Sequence, residues 1–295
     1  MVNPPLEYRD FRGAPDARAR LARLVAMGES LPLDEAALMV ALDERADVDL
    51  DAARRMLDQF ASRIHLRSDA PLQESVARVA INLFGEGRLQ GDVDTYDDPQ
   101  NSDLPQVLER KRGLPILLSI VMLGVARRLQ LPLAGVSFPG HFLVGPTPGA
   151  LAAAGLEPVR SFWIDPFHGG RMLGELDLKR GLQRNFPQAP EPTAEDWAIM
   201  TGPADPRQVL VRVNQNLKRS WAQRKEPHGT LRAIDRILML QPRAWNQHRD
   251  RGLLLARLGD LPAAEESLMT YLAQVPDATD GPRISMILSS IRLGL

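Results

Sequence analysis

Apolar residues recur at helical spacing over most of the chain, but one stretch is apolar on every side. Pro115-Ile-Leu-Leu-Ser-Ile-Val-Met-Leu-Gly-Val-Ala-Arg-Arg-Leu129 opens on a proline, which has no amide to lose there, and closes on two arginines facing the negative end of the helix dipole. A helix of about 15 residues is too short to span hydrocarbon, so the pattern predicts a helix buried inside a domain. Before it, the 3.6-residue period predicts scaffold helices over 17–27, 33–45, 49–64 and 72–84, with Asp49 as the cap of the third. Asn101-Ser102-Asp103 reads as the start of a further helix over 104–111, with Ser102 as N-cap. After the apolar helix, residues 134–138, 141–144 and 161–164 read as three short strands of one antiparallel sheet.

The small-residue run from Pro146 to Gly155 predicts a surface hairpin loop over the site, and Gly169-Gly170-Arg171-Met172-Leu173 a chain turn. Prolines at 187, 190, 192, 203 and 206 mark a domain boundary. Beyond it the pattern is helical throughout. Pro242 and Pro276 stand 34 residues apart, the tetratricopeptide period, with Gly252, Leu255, Ala264 and Leu268 where that repeat takes small or apolar residues. A last helix over 283–293 would cap the stack. The expected organisation is an N-terminal arm and short helix (1–30), an α+β domain (31–200) and an all-α domain (201–295). Residues 1–16, rich in Pro and Gly, are expected to drape over the surface.

Composition changes little in this picture, but charge distribution does. The 295 residues carry a net charge of -1, which argues against a general nucleic-acid binder. Residues 205–260 hold twelve cations against five acids, so this region is +7 and the remainder about -8. The sequence has no cysteine, which excludes disulfides and thiolate chemistry. Met1 to Arg23 shows neither a leader pattern nor an anchor, and the expectation is a cytoplasmic protein that does not meet a membrane.

The candidate chemistry lies between Gly113 and Pro166. A helix start, then a strand carrying His141, then a strand ending at Asp165 is the order of papain-like and transglutaminase-like enzymes, and this resemblance implies a nucleophile at the helix start, His141 as base and Asp165 orienting it. Alignment on the helix end puts Pro115 at or beside the family's cysteine position, and proline cannot attack. Ser119 lies on the same face one turn deeper, about 5 Å along the axis, where mid-helix serines usually bond back to the carbonyl four residues earlier. His168 with His141 and Asp165 would make a legitimate metal set, but Phe167-His168-Gly169 reads as a turn pointing away, and no metal or cofactor is expected. The acidic loop from Asp92 to Asp103 fails the calcium-loop spacing, with Tyr96 and Asp97 where an oxygen donor and a glycine are needed.

Tyr96-Asp97-Asp98-Pro99-Gln100-Asn101-Ser102, Val107-Leu108-Glu109-Arg110, Gly113-Leu114-Pro115, Phe138-Pro139-Gly140-His141-Phe142-Leu143-Val144 and Ile164-Asp165-Pro166-Phe167, in this order, resemble the bacterial SirB family. The resemblance runs from about Leu31 to the C-terminus. It implies an α+β transglutaminase-like core with a small antiparallel sheet, followed by tetratricopeptide-like helices. The function expected is protein–protein interaction through a degenerate cleft and the helical part; the alternative is a hydrolase or acyltransferase on amide or ester bonds with Ser119 as nucleophile. The local charge predicts an acidic protein or peptide partner on the helical face, held by Asn214, Lys218, Asn246, Arg249 and Arg251.

Overall fold

The computed structural model describes residues 13–155 and 162–293. Helix α1 (Pro15–Val25) packs on α2 (Leu33–Glu44), and α2, α3 (Leu50–Ser62), α4 (Leu72–Phe84) and α5 (Leu104–Arg110) pack on the apolar helix, α6 (Pro115–Arg128). Ten of the fourteen residues of α6 are buried, as its all-round apolar pattern requires. At its far end Arg127 and Arg128 hold the buried carboxylate of Asp34 at 2.8 and 2.7 Å, which docks α6 onto the start of α2.

A two-stranded parallel pair, β1 (Gln90–Gly91) and β2 (Arg112–Gly113), leads into α6. The main sheet is antiparallel, in the order β3 (Leu133–Val136), β4 (Leu143–Pro146), β5 (Trp163–Asp165), β6 (Arg171–Leu173). The three expected strands are therefore neighbours in one sheet. The fourth is a correction: the Gly169-Gly170 turn, with both glycines at positive φ, is real, but it returns the backbone as a strand on β5.

Other expectations are corrected too. The run from Pro146 to Gly155 is not an open hairpin loop: Thr147 caps α7 (Pro148–Ala153), since threonine before proline starts a helix and alanines continue it. Thr147 and Pro148 line a cavity with Pro32, Asp34 and Arg127, beside the far end of α6 from Pro115. Asp103, not Ser102, caps α5, accepting from the Gln106 amide while the Arg45 guanidinium holds its other oxygen at 2.9 Å. Ser102 ends a 3-10 turn with a buried, unbonded hydroxyl. Two further helices stand where none was expected, α8 (Glu175–Asn185) and α9 (Ala194–Thr201), the second within the proline-rich boundary and opened by a Thr193–Asp196 capping box. The draped arm falls mostly outside the described residues, but Ala14 is tied down, donating its amide to Asp43 at 2.8 Å.

The helical part pairs α10 (Pro206–Gln223) with α11 (Pro227–Leu240) and α12 (Trp245–Leu258) with α13 (Leu261–Gln274), and α14 (Gly281–Leu293) closes the stack. The first pair shares its core with the α+β part: one apolar cluster runs from Leu21 through α6 to Val213, Trp221 and Leu240. The later helices form a cluster of their own around Leu268, Tyr271, Ile284 and Leu288. Among the described residues no helix is long and apolar enough to cross a membrane.

Candidate functional site

Phe138-Pro139-Gly140-His141 is a tight turn, with the His141 amide donating to the Phe138 carbonyl at 2.9 Å and Gly140 at φ 78°. Proline followed by a positive-φ glycine is the signature of a type II turn, and it places His141 just before β4. The β4–β5 register pairs Val144 with Ile164, so the residues before β4 and the end of β5 lie together, His141 beside Asp165. Below them lies the start of α6.

Asp165 is buried, and its oxygens are largely taken by the turn that follows it. Oδ1 accepts from the amides of Phe167 and His168 at 3.2 and 3.3 Å, and Oδ2 lies 2.7 Å from His168 Nδ1. His141 Nδ1 is 3.7 Å from the same Oδ2, close enough for charge attraction but beyond a hydrogen bond. His168, expected to point away, thus holds the bond expected for His141, because an imidazole three residues on reaches the carboxylate through local turn geometry. Burial lowers the His141 pKa; Asp165 pulls it up, and the positive charges of His168, Arg184 and Arg171 push it down further. Ligand atoms of His141, Asp165 and His168 lie within 4.8 Å of one another, a spacing that could hold a metal ion, although Arg171 and Arg184 oppose a cation there.

Ser119 is fully buried in α6. Its Oγ donates to the Pro115 carbonyl at 2.9 Å, with the Phe142 carbonyl at 3.3 Å as the other acceptor in reach, so its proton is committed to the backbone. A cavity of about 310 Å³ opens between the start of α6, His141 and α10, lined by Pro115, Ile116, Tyr96, Arg212 and Asn216 among others, and Ser119 does not line it. Arg212 and Asn216 were missed. Their spacing of four residues was visible, but not which helix lies over the cleft.

The five residues expected on a partner-binding face are placed differently from one another. Asn214 is buried between helices, donating to the Leu210 carbonyl and accepting from Arg236 Nε at 2.6 Å. Lys218 pairs with Asp250 at 2.6 Å, Arg249 with Asp250 and Asp280, and Arg251 with Asp235 at 2.8 Å. Asn246 is exposed. Lys218 and Asp250 line a cavity of about 510 Å³ with Lys225, Thr230 and Arg257. The acidic loop covers part of α10, where Arg219 meets Asp97 at 3.2 Å and Arg224 meets Asp98 at 2.9 Å.

A helix start facing a histidine that leads into one strand and an aspartate that ends its antiparallel neighbour is the layout of transglutaminase-like proteins. The profile of the transglutaminase-like superfamily matches residues 51–215, more than half of the sequence, and a tetratricopeptide repeat profile matches residues 217–289. Within that superfamily the protein belongs to the family of the UPF0162 and SirB1 proteins. It is 37% identical over 257 residues to a UPF0162 protein of Xylella fastidiosa strain 9a5c, covering 84% of its own length and 85% of the relative. A UPF0162 protein of Pseudomonas aeruginosa is 30% identical over 261 residues, covering 88% and 90%. Protein SirB1 of Salmonella typhimurium is 27% identical over 242 residues, covering 81% and 83%. No solved structure matches.

Proposed function

We propose that this protein is a non-catalytic member of its superfamily, acting by protein–protein interaction through the cleft at His141 and the tetratricopeptide-like helices. The observation that carries the reading is the start of α6. Where an acyl-transferring enzyme of this layout needs a nucleophile, the sequence has Pro115, and the hydroxyl one turn on, that of Ser119, donates to the Pro115 carbonyl and is closed off from solvent. The cysteine-free sequence supplies no thiol to replace it. The partner in this reading is a protein or peptide with acidic groups, taken up in the cytoplasm. Lys218 of α10 and Asp250 of α12 beside their cavity, with exposed Asn246 and ion-paired Arg249 and Arg251 also on α12, offer a second contact surface.

Incubation with a fluorophosphonate probe, read by intact mass, tests the reading. The expected result is no labelling. Labelling that disappears in both Ser119→Ala and His141→Ala would overturn it in favour of a serine hydrolase or acyltransferase.

A further inference from the structure

Several guanidinium groups partly or wholly withdrawn from water in this fold meet carboxylates: Arg54 meets Glu35, Arg110 meets Asp92, Arg128 meets Asp34 and Asp58, and Arg236 meets Asp43 and Glu44. Arg212 does not. Among the described residues no carboxylate lies within ion-pair distance of it. Nη1 donates to Ser137 Oγ at 2.7 Å, and the guanidinium carbon stands 5.5 Å from the centre of the Phe142 ring. Burial pushes its pKa below the usual arginine range, and the neighbour acting against that is the Tyr96 hydroxyl. A half-buried cation without a counter-ion is costly to retain, and a ligand anion would offset that cost.

Arg212 also lines a cavity with a consistent character. Asn216 follows it by four residues and Arg219 by seven, so the three share one face of α10, and all three line the 310 Å³ cavity opposite His141. The opposite wall is the first turn of the fourteen-residue α6, whose cap residue Leu114 offers no side-chain acceptor. We propose that this cavity binds the carboxylate of a peptide, with Arg212 as its counter-ion, an inference resting on the cleft being a binding site.

Charge selects the ligand class. Arg219 is already neutralised by Asp97, and His141, its pKa lowered, is mostly uncharged at pH 7. Among the described residues one positive charge of the lining remains uncompensated, which matches a carboxylate better than a dianionic phosphate. Gln215 and Asn216 line the same cavity. Their primary amides carry both donors and an acceptor, the complement of the peptide groups that flank such a carboxylate.

Two sources present this group, a free peptide terminus and an acidic side chain, and one titration separates them. The full-length ¹⁵N-labelled protein is titrated, with the Arg212 Nε–Hε resonance as readout, using Gly-Ser-Ala-Gly-Ala as the free acid, the same peptide amidated, and amidated Gly-Ser-Glu-Gly-Ala. The expected result is a saturable shift with the free acid or the Glu peptide, whichever source the site takes, and none with the neutral amide. Followed through the Asn216 side-chain amide, which lines the same cavity and remains when the Arg212 signal is gone, Arg212→Gln should weaken that binding by about tenfold or more, and Arg219→Gln by about twofold at most. If Arg212→Gln does not fold, Asn216→Asp, which sets a competing carboxylate one turn away, should abolish the shift. The proposal is overturned if neither carboxylate peptide saturates, if inorganic phosphate alone does, or if Arg212→Gln binds undiminished. Mass spectrometry of the same samples keeps the two readings apart: a cleaved or transferred peptide would refute the non-catalytic reading, whereas an intact, unbound peptide refutes only the carboxylate site.

Discussion

Arg236 of α11 hydrogen-bonds Glu44 at the end of α2, joining the helical part to the α+β part with both side chains shut away from solvent. Its other terminal nitrogen donates to Asp43 at 2.5 Å, Arg232 reaches Glu44 at 3.2 Å, and the Trp221 indole donates to Glu44 at 2.8 Å. Charges withdrawn from water are tolerated only while each has its partners. Arg236→Met takes one buried counter-charge from each of Asp43 and Glu44, whose remaining partners include Arg18 for the first and Arg232 and Trp221 for the second, and the expected loss is about 3–5 kcal/mol in urea unfolding. Because the apolar cluster continues across this seam, wild-type tryptophan fluorescence and far-UV dichroism should report one transition. Two separated transitions would show that the seam does not couple the parts.

Acid should attack the same place. Burial raises the Glu44 pKa, but the charges of Arg236 and Arg232 outweigh it and hold the carboxyl below its usual range. A folded-state pKa below the unfolded one gives stability that is present above about pH 4.3 and is lost as pH falls through the folded value. Asp103 works with the opposite sign, since burial raises its pKa despite Arg45. The informative measurement is therefore the difference in unfolding free energy between wild type and Glu44→Gln across pH 3 to 7. It should be largest near neutrality and shrink below about pH 4.5; a flat difference would contradict the assignment.

His141 offers a sharper electrostatic test. Asp165 favours its charged form and His168 disfavours it, so NMR should show the His141 pKa falling in Asp165→Asn and rising in His168→Ala. Equal and unchanged titrations in the two variants would mean that the 3.7 Å separation from Asp165 carries no interaction.

Gly252 tests the packing of the second helical pair. A methyl group there would lie 2.6 Å from Leu268 Cγ and 3.0 Å from the Ala264 carbonyl oxygen. Gly252→Ala should cost about 1–3 kcal/mol through overpacking, despite alanine's better helix propensity. A gain in melting temperature would show that α12 and α13 can move apart freely.

What could be read from the sequence was what neighbouring residues decide together. The apolar run over 115–129, the Gly169-Gly170 turn and the small residue at 252 each carry their structural reason within a few positions. The fourth strand and α9 escaped because glycines and prolines masked a returning strand and a Thr193 cap before Trp197. At the site, the order of elements brought His141 near Asp165, but the competition from His168 is decided by side-chain reach within a six-residue turn. Long-range partners were the blind spot. Period alone put Asn214 and Lys218 on one face, yet nothing local says that Arg236 waits beside the first and Asp250 beside the second.

The Glu44–Arg236 contact joins positions 192 residues apart, which sets a schedule for the newborn protein. At ribosomal speeds of about 5–20 residues per second, α2 emerges about 10–40 s before its counter-charge exists. During that interval Asp43 can already pair with Arg18, but Glu44 lacks the arginines that neutralise it, and the seam between the two parts cannot form. A ribosome stalled between residues 141 and 212 would therefore carry an unfinished cleft, its His141 already synthesised and the wall bearing Arg212 not yet made.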